Sequence, residues 1–227
     1  MPPATMLGCV NRYLGGFFTV TLRRRNRMTP LTVRDFQIYK HFLSLEAQQQ
    51  MVHDLREVVR TAPLFRPDTP YGKPMSVRMT AAGTYGWFAD KRGYRYIDTH
   101  PSGRPWPAIP SSVLGVWDAV TGLERRPECC LINYYDADAK MGLHQDRDEA
   151  DFQWPVVSIS LGDEALFRIG NTTRGGKTES LWLQSGDVVV MGDAARLTYH
   201  GVDRIRGGSS GLLEKGGRIN LTLRVVT

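Results

Sequence analysis

The stretch Met141-Gly-Leu-His-Gln-Asp-Arg-Asp148 carries an imidazole and a carboxylate two residues apart, at His144 and Asp146. In an extended segment, period-2 alternation puts both side chains on one face, with Asp148 next along it. Two histidines and one carboxylate on one side of a ferrous ion leave the opposite positions open for a co-substrate and dioxygen. His200, in Leu-Thr-Tyr-His-Gly-Val, is the candidate second histidine. A lone His-x-Asp is more often a solvated turn than a metal site, so the weight falls on the rest of the chain. The stretch Arg218-Ile-Asn-Leu-Thr-Leu-Arg-Val-Val226 alternates Arg218, Asn220, Thr222 and Arg224 with Ile219, Leu221, Leu223 and Val225. That pattern fits a half-buried strand with a solvated polar face. It also fits a strand whose polar face lines a barrel, where an arginine grips a carboxylate bidentately. Asn133 and Tyr135 share one face of a strand just upstream of His144.

Positioning these residues requires a sheet-rich scaffold. The chain has 227 residues, 41% of them hydrophobic, with 23 glycines and 13 prolines, enough to bury a sizeable core broken by many turns. Short strands are read at Cys129–Tyr135, Val156–Leu161, Ala165–Ile169, Glu179–Leu183, Val188–Met191 and Arg218–Val226. Strands of this spacing without helical partners point to a jelly-roll-like double-stranded β-helix. Upstream, Val33–Tyr39 reads as one strand, Ser44 as the N-cap of a helix to about Thr61, and Ser111 or Ser112 as the cap of a helix from Val113 to about Thr121. Met75–Thr80 and Thr84–Phe88 read as strands between them. The expected organisation is mainly β with flanking helices: a leader over residues 1–27, an N-terminal portion over 28–127 and the β-helix core over 128–227.

Charge narrows the partners only locally. Residues 1–27 hold Arg12, Arg23, Arg24, Arg25 and Arg27 without an acid, so five of the six net positive charges sit there. The arginines follow the apolar part of this leader, the reverse of a signal peptide, and it reads as a disordered tail. From Arg66 to Arg104, seven basic residues face only Asp68, Asp90 and Asp98, among Tyr85, Trp87, Phe88, Tyr94 and Tyr96. Aromatics in strands are usually core, but interleaved with cations they also suit a stacking surface beside phosphates. Three cysteines without framework spacing, and no apolar run near the ~20 residues of a membrane span, suggest a protein of the reducing cytoplasm without a membrane partner.

Taken together, Asn133-Tyr-Tyr135, His144-Gln-Asp146-Arg-Asp148-Glu149, Val157-Ser-Ile-Ser-Leu-Gly162, Gly186-Asp-Val-Val-Val190, Tyr199-His-Gly201 and Arg218-Ile-Asn-Leu-Thr-Leu-Arg224 closely resemble the AlkB family. These are Fe(II)/2-oxoglutarate-dependent dioxygenases, and the likeness is to the bacterial DNA-repair branch. It runs from about residue 30 to the end. Met75–Thr80, Gly86-Trp87, Gly93-Tyr94 and Pro105-Trp-Pro107 look like the family's nucleotide-recognition lid, an α/β segment ahead of the core. The resemblance implies that His144, Asp146 and His200 bind iron, and that Asn133, Tyr135, Arg218, Asn220 and Arg224 line the 2-oxoglutarate site. It implies that Trp87, Tyr94 and Asp148 face a flipped, methylated base. The implied reaction uses O2 and 2-oxoglutarate to demethylate 1-methyladenine and 3-methylcytosine in single-stranded or duplex DNA, with RNA a further candidate. Formaldehyde, succinate and CO2 are released, and the enzyme is expected to act as a monomer. Two rival readings are an oxygenase of the same fold acting on a protein or small molecule, and a silent β-helix binding module. The first would have no need of Trp87, Tyr94 or Asp148, and the second would be expected to have lost a metal ligand.

Overall fold

Strand β13 (Arg218–Arg224) lies between β6 (Cys129–Tyr135) and β8 (Val156–Gly162), antiparallel to both. In the computed structural model, which describes residues 29–69 and 71–227, these strands belong to a seven-stranded sheet. One edge adds β11 (Val188–Met191), β2 (Phe36–Tyr39) and β1 (Leu31–Val33), and the other adds β3 (Arg78–Gly83). A four-stranded sheet runs in the order β10 (Glu179–Leu183), β9 (Glu164–Ile169), β12 (His200–Arg206), β7 (Met141–His144). The two sheets meet in one apolar cluster that joins Phe36, Tyr135 and Val189 of the larger to Phe167, Ile169 and Val202 of the smaller. The mainly β, jelly-roll core is as expected. The large sheet draws strands from both sides of residue 127, because β2 pairs with β11 and β3 with β6.

The second face of the large sheet is covered by α1 (Leu45–Thr61) and α2 (Ser111–Thr121). Ser44 Oγ accepts the Ala47 N–H and so caps α1, whose Met51, Val52, Leu55 and Val58 pack with Trp117 against Ile159, Leu221 and Leu223. Each such side chain contributes about 1.5–3 kcal/mol on burial. Covered on both faces, β8 is buried along its whole length, as is usual for strands of a central layer. The same cover decides the reading of β13: Leu221 and Leu223 turn to the helices, while Arg218, Asn220 and Arg224 turn to the space between the sheets.

A separate two-stranded hairpin of β4 (Gly86–Asp90) and β5 (Gly93–Ile97) stands over this space. Trp87, Ala89 and Trp106 anchor it in a third apolar cluster with Met79 and Leu131. Its turn is fixed by Asp90, which accepts both arms of the Arg95 guanidinium at 2.8 Å and the Arg92 N–H.

Several local expectations are corrected. Val33–Tyr39 is a hairpin rather than one strand, since Arg34 and Asp35 take φ of 46° and 68° and form its two-residue turn. The helix at 111–121 starts after Pro110 without a side-chain cap, and Ser112 Oγ donates instead to Asp54 Oδ2 of α1. The strands expected at 75–80 and 84–88 lie at 78–83 and 86–90, and β13 ends at Arg224. The expected disorder of residues 1–27 lies outside the described residues. Among the described residues, no helix is long and apolar enough to cross a membrane.

Candidate active site

Strand β7 ends at His144, and its neighbour β12 begins at His200, directly opposite in register. The chain then leaves the sheet, so Asp146 enters from an irregular segment rather than from a shared strand face. Asp148, expected on that same face, turns instead toward β4. One ligand atom each from His144, Asp146 and His200 fall within 4.8 Å of one another. The Nε2 atoms of His144 and His200 stand 3.7 and 3.8 Å from the two Asp146 oxygens.

The hydrogen bonds around this triad leave the metal-facing atoms bare. His144 Nδ1 is 2.9 Å from the Gly142 carbonyl and His200 Nδ1 is 3.0 Å from the Thr198 carbonyl. A carbonyl only accepts, so each Nδ1 carries the proton and each Nε2 offers its lone pair. Burial, followed by the neighbouring His144, pulls the His200 pKa down to about 4, which keeps it a neutral ligand near pH 7. Burial alone would raise the Asp146 pKa, but Arg224, His200 and His144 hold it well below the usual carboxylate range. Asp146 Oδ1 accepts from Arg224 at 2.8 Å, whereas the buried Oδ2 has no partner. An orphaned anionic oxygen beside two bare imidazole nitrogens fits a divalent ion.

The second demand is for an anion. Arg218 is 1% exposed, and among the described residues no carboxylate pairs with it. Its guanidinium donates to the Asp163 carbonyl at 3.2 Å and to Ser160 Oγ at 2.7 Å, and its Nε is unsatisfied. Burial lowers its pKa to about 10, still a cation at neutral pH. A buried charge without a counter-ion is costly, so this cation suits a dicarboxylate co-substrate brought from solution. Tyr135 and Asn133 lie opposite Arg218 and Asn220 in register, and burial pushes the Tyr135 phenol up to about 12, so it remains a donor. All four line one cavity of about 400 Å³ together with His144, His200 and Arg224. Arg224 differs from the expectation in its commitments, since its guanidinium already serves Asp146 and Tyr96. Met191 also lines this space.

The same cavity is walled by Trp87, Tyr94 and Asp148. Trp87 Nε1 donates to Asp148 Oδ2 at 2.8 Å, and Tyr94 stacks on the indole with centroids 5.3 Å apart and planes at 22°. Trp87 is 8% exposed and Tyr94 48%, so the tyrosine is the solvent-facing half of the stack. Three residues to which the sequence assigned no role beside the metal ligands complete the site. The half-buried Tyr96 and the buried Glu149 and Arg196 cluster around Arg224 and Asp146. Glu149 sits in an acidic run that reads as a solvated turn, and Arg196 lies in a connecting segment with no periodicity. Tyr96 had one signal, its period-2 relation to Tyr94.

Comparison with known proteins agrees with this geometry. The model of the 2OG-Fe(II) oxygenase superfamily matches residues 35–224. An alpha-ketoglutarate-dependent dioxygenase AlkB homolog of Caulobacter vibrioides is 53% identical over 197 residues, covering 86% of this chain and 90% of that protein. Alpha-ketoglutarate-dependent dioxygenase AlkB of Escherichia coli is 39% identical over 186 residues, covering 80% and 86%. A solved structure, that of OsALKBH1, superposes with a TM-score of 0.75 at 30% identity, covering 86% of this chain and 98% of that one. The chain is therefore a member of the 2OG-Fe(II) oxygenase superfamily and, within it, of the AlkB alpha-ketoglutarate-dependent dioxygenases.

Proposed function

We propose that this dioxygenase removes N-methyl groups from 1-methyladenine and 3-methylcytosine in nucleic acid, with DNA the principal substrate. The observation that carries the reading is the Trp87–Tyr94–Asp148 wall in the same cavity as the His144, Asp146 and His200 triad. Relatives named AlkB, and more distant ones named DNA N(6)-methyladenine demethylase, support the nucleic-acid class.

In this reading His144 Nε2, His200 Nε2 and Asp146 Oδ2 hold Fe(II), and Arg218 with Tyr135 and Asn220 holds the 2-oxoglutarate carboxylate. Iron with 2-oxoglutarate and O2 supplies the oxidation of the N-methyl carbon, whose hydroxymethyl product sheds formaldehyde, with succinate and CO2 as the other products. The chain supplies position. Methylation of a ring nitrogen makes the base cationic, so an aromatic face and a carboxylate both favour damaged over intact bases. The Trp87 hydrogen bond uses Asp148 Oδ2 and sets the plane of the indole. Among the described residues Asp148 Oδ1 has no donor, and it is the atom offered to the exocyclic amine shared by adenine and cytosine. The apolar lining from Met75, Leu131 and Met191 limits water around the reacting carbon.

The test is succinate formation with and without methylated oligonucleotide. The oligonucleotide is expected to stimulate the wild type. Trp87→Ala should lose about 1–3 kcal/mol of substrate binding, the scale of one base–aromatic stack. Asp148→Asn, which retains an acceptor for Trp87, should hurt 1-methyladenine and 3-methylcytosine more than methylated guanine or thymine. If the oligonucleotide does not stimulate the wild type, or both variants match it on every base, the oxygenase acts on another substrate class.

A further inference from the structure

The β4–β5 hairpin reaches segment 146–149 by a second contact, deeper than the one between Trp87 and Asp148. The Tyr96 hydroxyl donates to Glu149 Oε1 and accepts from Arg224 Nη1 at 3.1 Å. Arg224 Nη2 donates to Asp146 Oδ1 at 2.8 Å, while its Nε stands 3.6 Å from Glu149 Oε1 and makes no hydrogen bond. Glu149 Oε2 accepts from Arg196 Nη2 at 3.0 Å, and Arg196 Nη1 also holds the Asp146 carbonyl, at 2.5 Å. Two buried cations and two buried anions thus share one small volume, with a single neutral hydroxyl among them.

We propose that Tyr96 is a positioning residue: its hydroxyl makes the orientation of Asp146, and hence the affinity of the triad for a divalent ion, depend on the hairpin being seated. The proposal rests on the metal-binding reading of the triad. Asp146 presents Oδ2 to an ion because Arg224 fixes Oδ1. Arg224 itself lies between two carboxylates. The hydroxyl satisfies Glu149 Oε1 and holds Nη1, which keeps the guanidinium turned to Asp146. Without it, Glu149 Oε1 loses a donor in a buried place, where an unmet acceptor is costly. The nearest replacement is the unpaired Arg224 Nε, and turning it to Glu149 draws Nη2 away from Asp146. Lifting the hairpin removes the hydroxyl just as deleting it does. The hairpin itself does not need this bond, because its strands pair along their length and Trp87 and Ala89 pack against Trp106 in their own cluster.

The experiment is a Co(II) titration of the metal-free protein, followed by visible absorption, in the wild type and in Tyr96→Phe, Gly86→Ala, the double variant, His144→Ala and Tyr39→Phe. A Cβ at Gly86 would run into the Trp106 indole and unseat β4 while leaving Tyr96 intact. Tyr96→Phe is expected to bind Co(II) about tenfold more weakly, the lower end of the cost of losing an outer-shell partner. Gly86→Ala should weaken binding too, and the double variant should be no worse than the weaker single one, because both break one linkage. Tyr39→Phe, a hydroxyl remote from the site, should bind as the wild type does. Wild-type affinity in Tyr96→Phe, or losses that multiply in the double variant, would overturn the proposal while a loss in His144→Ala leaves the metal reading standing. A wild type that binds no Co(II), or His144→Ala that binds it fully, would sink the metal reading and this proposal with it.

Discussion

Arg218 is a buried cation with no carboxylate beside it among the described residues, and His200 is an imidazole that burial keeps neutral. Arg218 is a buried cation whose protein partners are carbonyls and a hydroxyl, so most of its worth is realised when a carboxylate arrives. Arg218→Lys replaces a rigid fork by a point charge. It should raise the 2-oxoglutarate KM roughly tenfold to a hundredfold, the scale of one or more charged hydrogen bonds, with a smaller change in kcat at saturation. Succinate formation against 2-oxoglutarate concentration checks this, and an unchanged KM would move the carboxylate clamp elsewhere. His200 makes a stability prediction for the metal-free protein. Its folded pKa of about 4 lies below the ordinary 6.5, so between these values the unfolded chain binds a proton that the folded chain refuses. Stability is therefore intact above pH 6.5 and falls as pH drops toward 4. Melting temperatures of the metal-free protein should decline across that window, and His200→Gln should flatten the decline. Equal slopes in the two proteins would show that His200 is not the titrating group.

At the scale of elements, the geometry of the triad depends on how closely β7 and β12 approach. A Cβ on Gly201 would meet the Met141 and Gly142 carbonyl oxygens at 2.6 and 2.8 Å, which are backbone atoms that cannot swing aside. Gly142 is also the residue whose carbonyl orients His144. Gly201→Ala should push the strands apart, weaken Co(II) affinity by about tenfold and cost about 1–3 kcal/mol of stability. A titration with a parallel thermal melt would show both effects, and a normal affinity would mean that β7 tolerates the shift. The bounds of β6, β10 and β11 were legible in the sequence because short apolar runs between turn residues have few other readings. Strand β12 was not. Bulges between His200 and Val202 and between Val202 and Arg204 break its period, and Asp203, Arg204 and Arg206 give it the composition of a loop. The site divides similarly. That the triad and Arg218 would meet around one cavity was legible from their residue types and spacing, whereas Glu149 and Arg196 take their places from burial that no local pattern encodes.

For the whole molecule, the charge that matters is local. Of the seven basic residues between Arg66 and Arg104, Arg78 pairs with Asp136 and Arg95 with Asp90; Arg92 also reaches Asp90, at 3.6 Å, but is exposed, as are Arg66, Lys73, Lys91 and Arg104. Lys91→Ala with Arg92→Ala should weaken oligonucleotide binding evenly across sequences. It should also lower the slope of log affinity against log salt by about 1.4, the value for two phosphate contacts on a single strand. An unchanged slope would place the phosphates on another face. The position of β13 governs how such a molecule can be made. It follows every other strand in the chain, yet it is inserted between β6 and β8 instead of being added at an edge. During synthesis those two strands must wait with open edges, a state that invites pairing with other chains. About half of the sheet's sequence-distant contacts close only when it arrives, so folding is expected to be slow. Arg218 and Arg224 travel on that strand, so a chain in which it is not yet inserted can bring His144 and His200 together but cannot hold an anion or steady Asp146. Competence therefore arrives in a single step, when β13 is inserted.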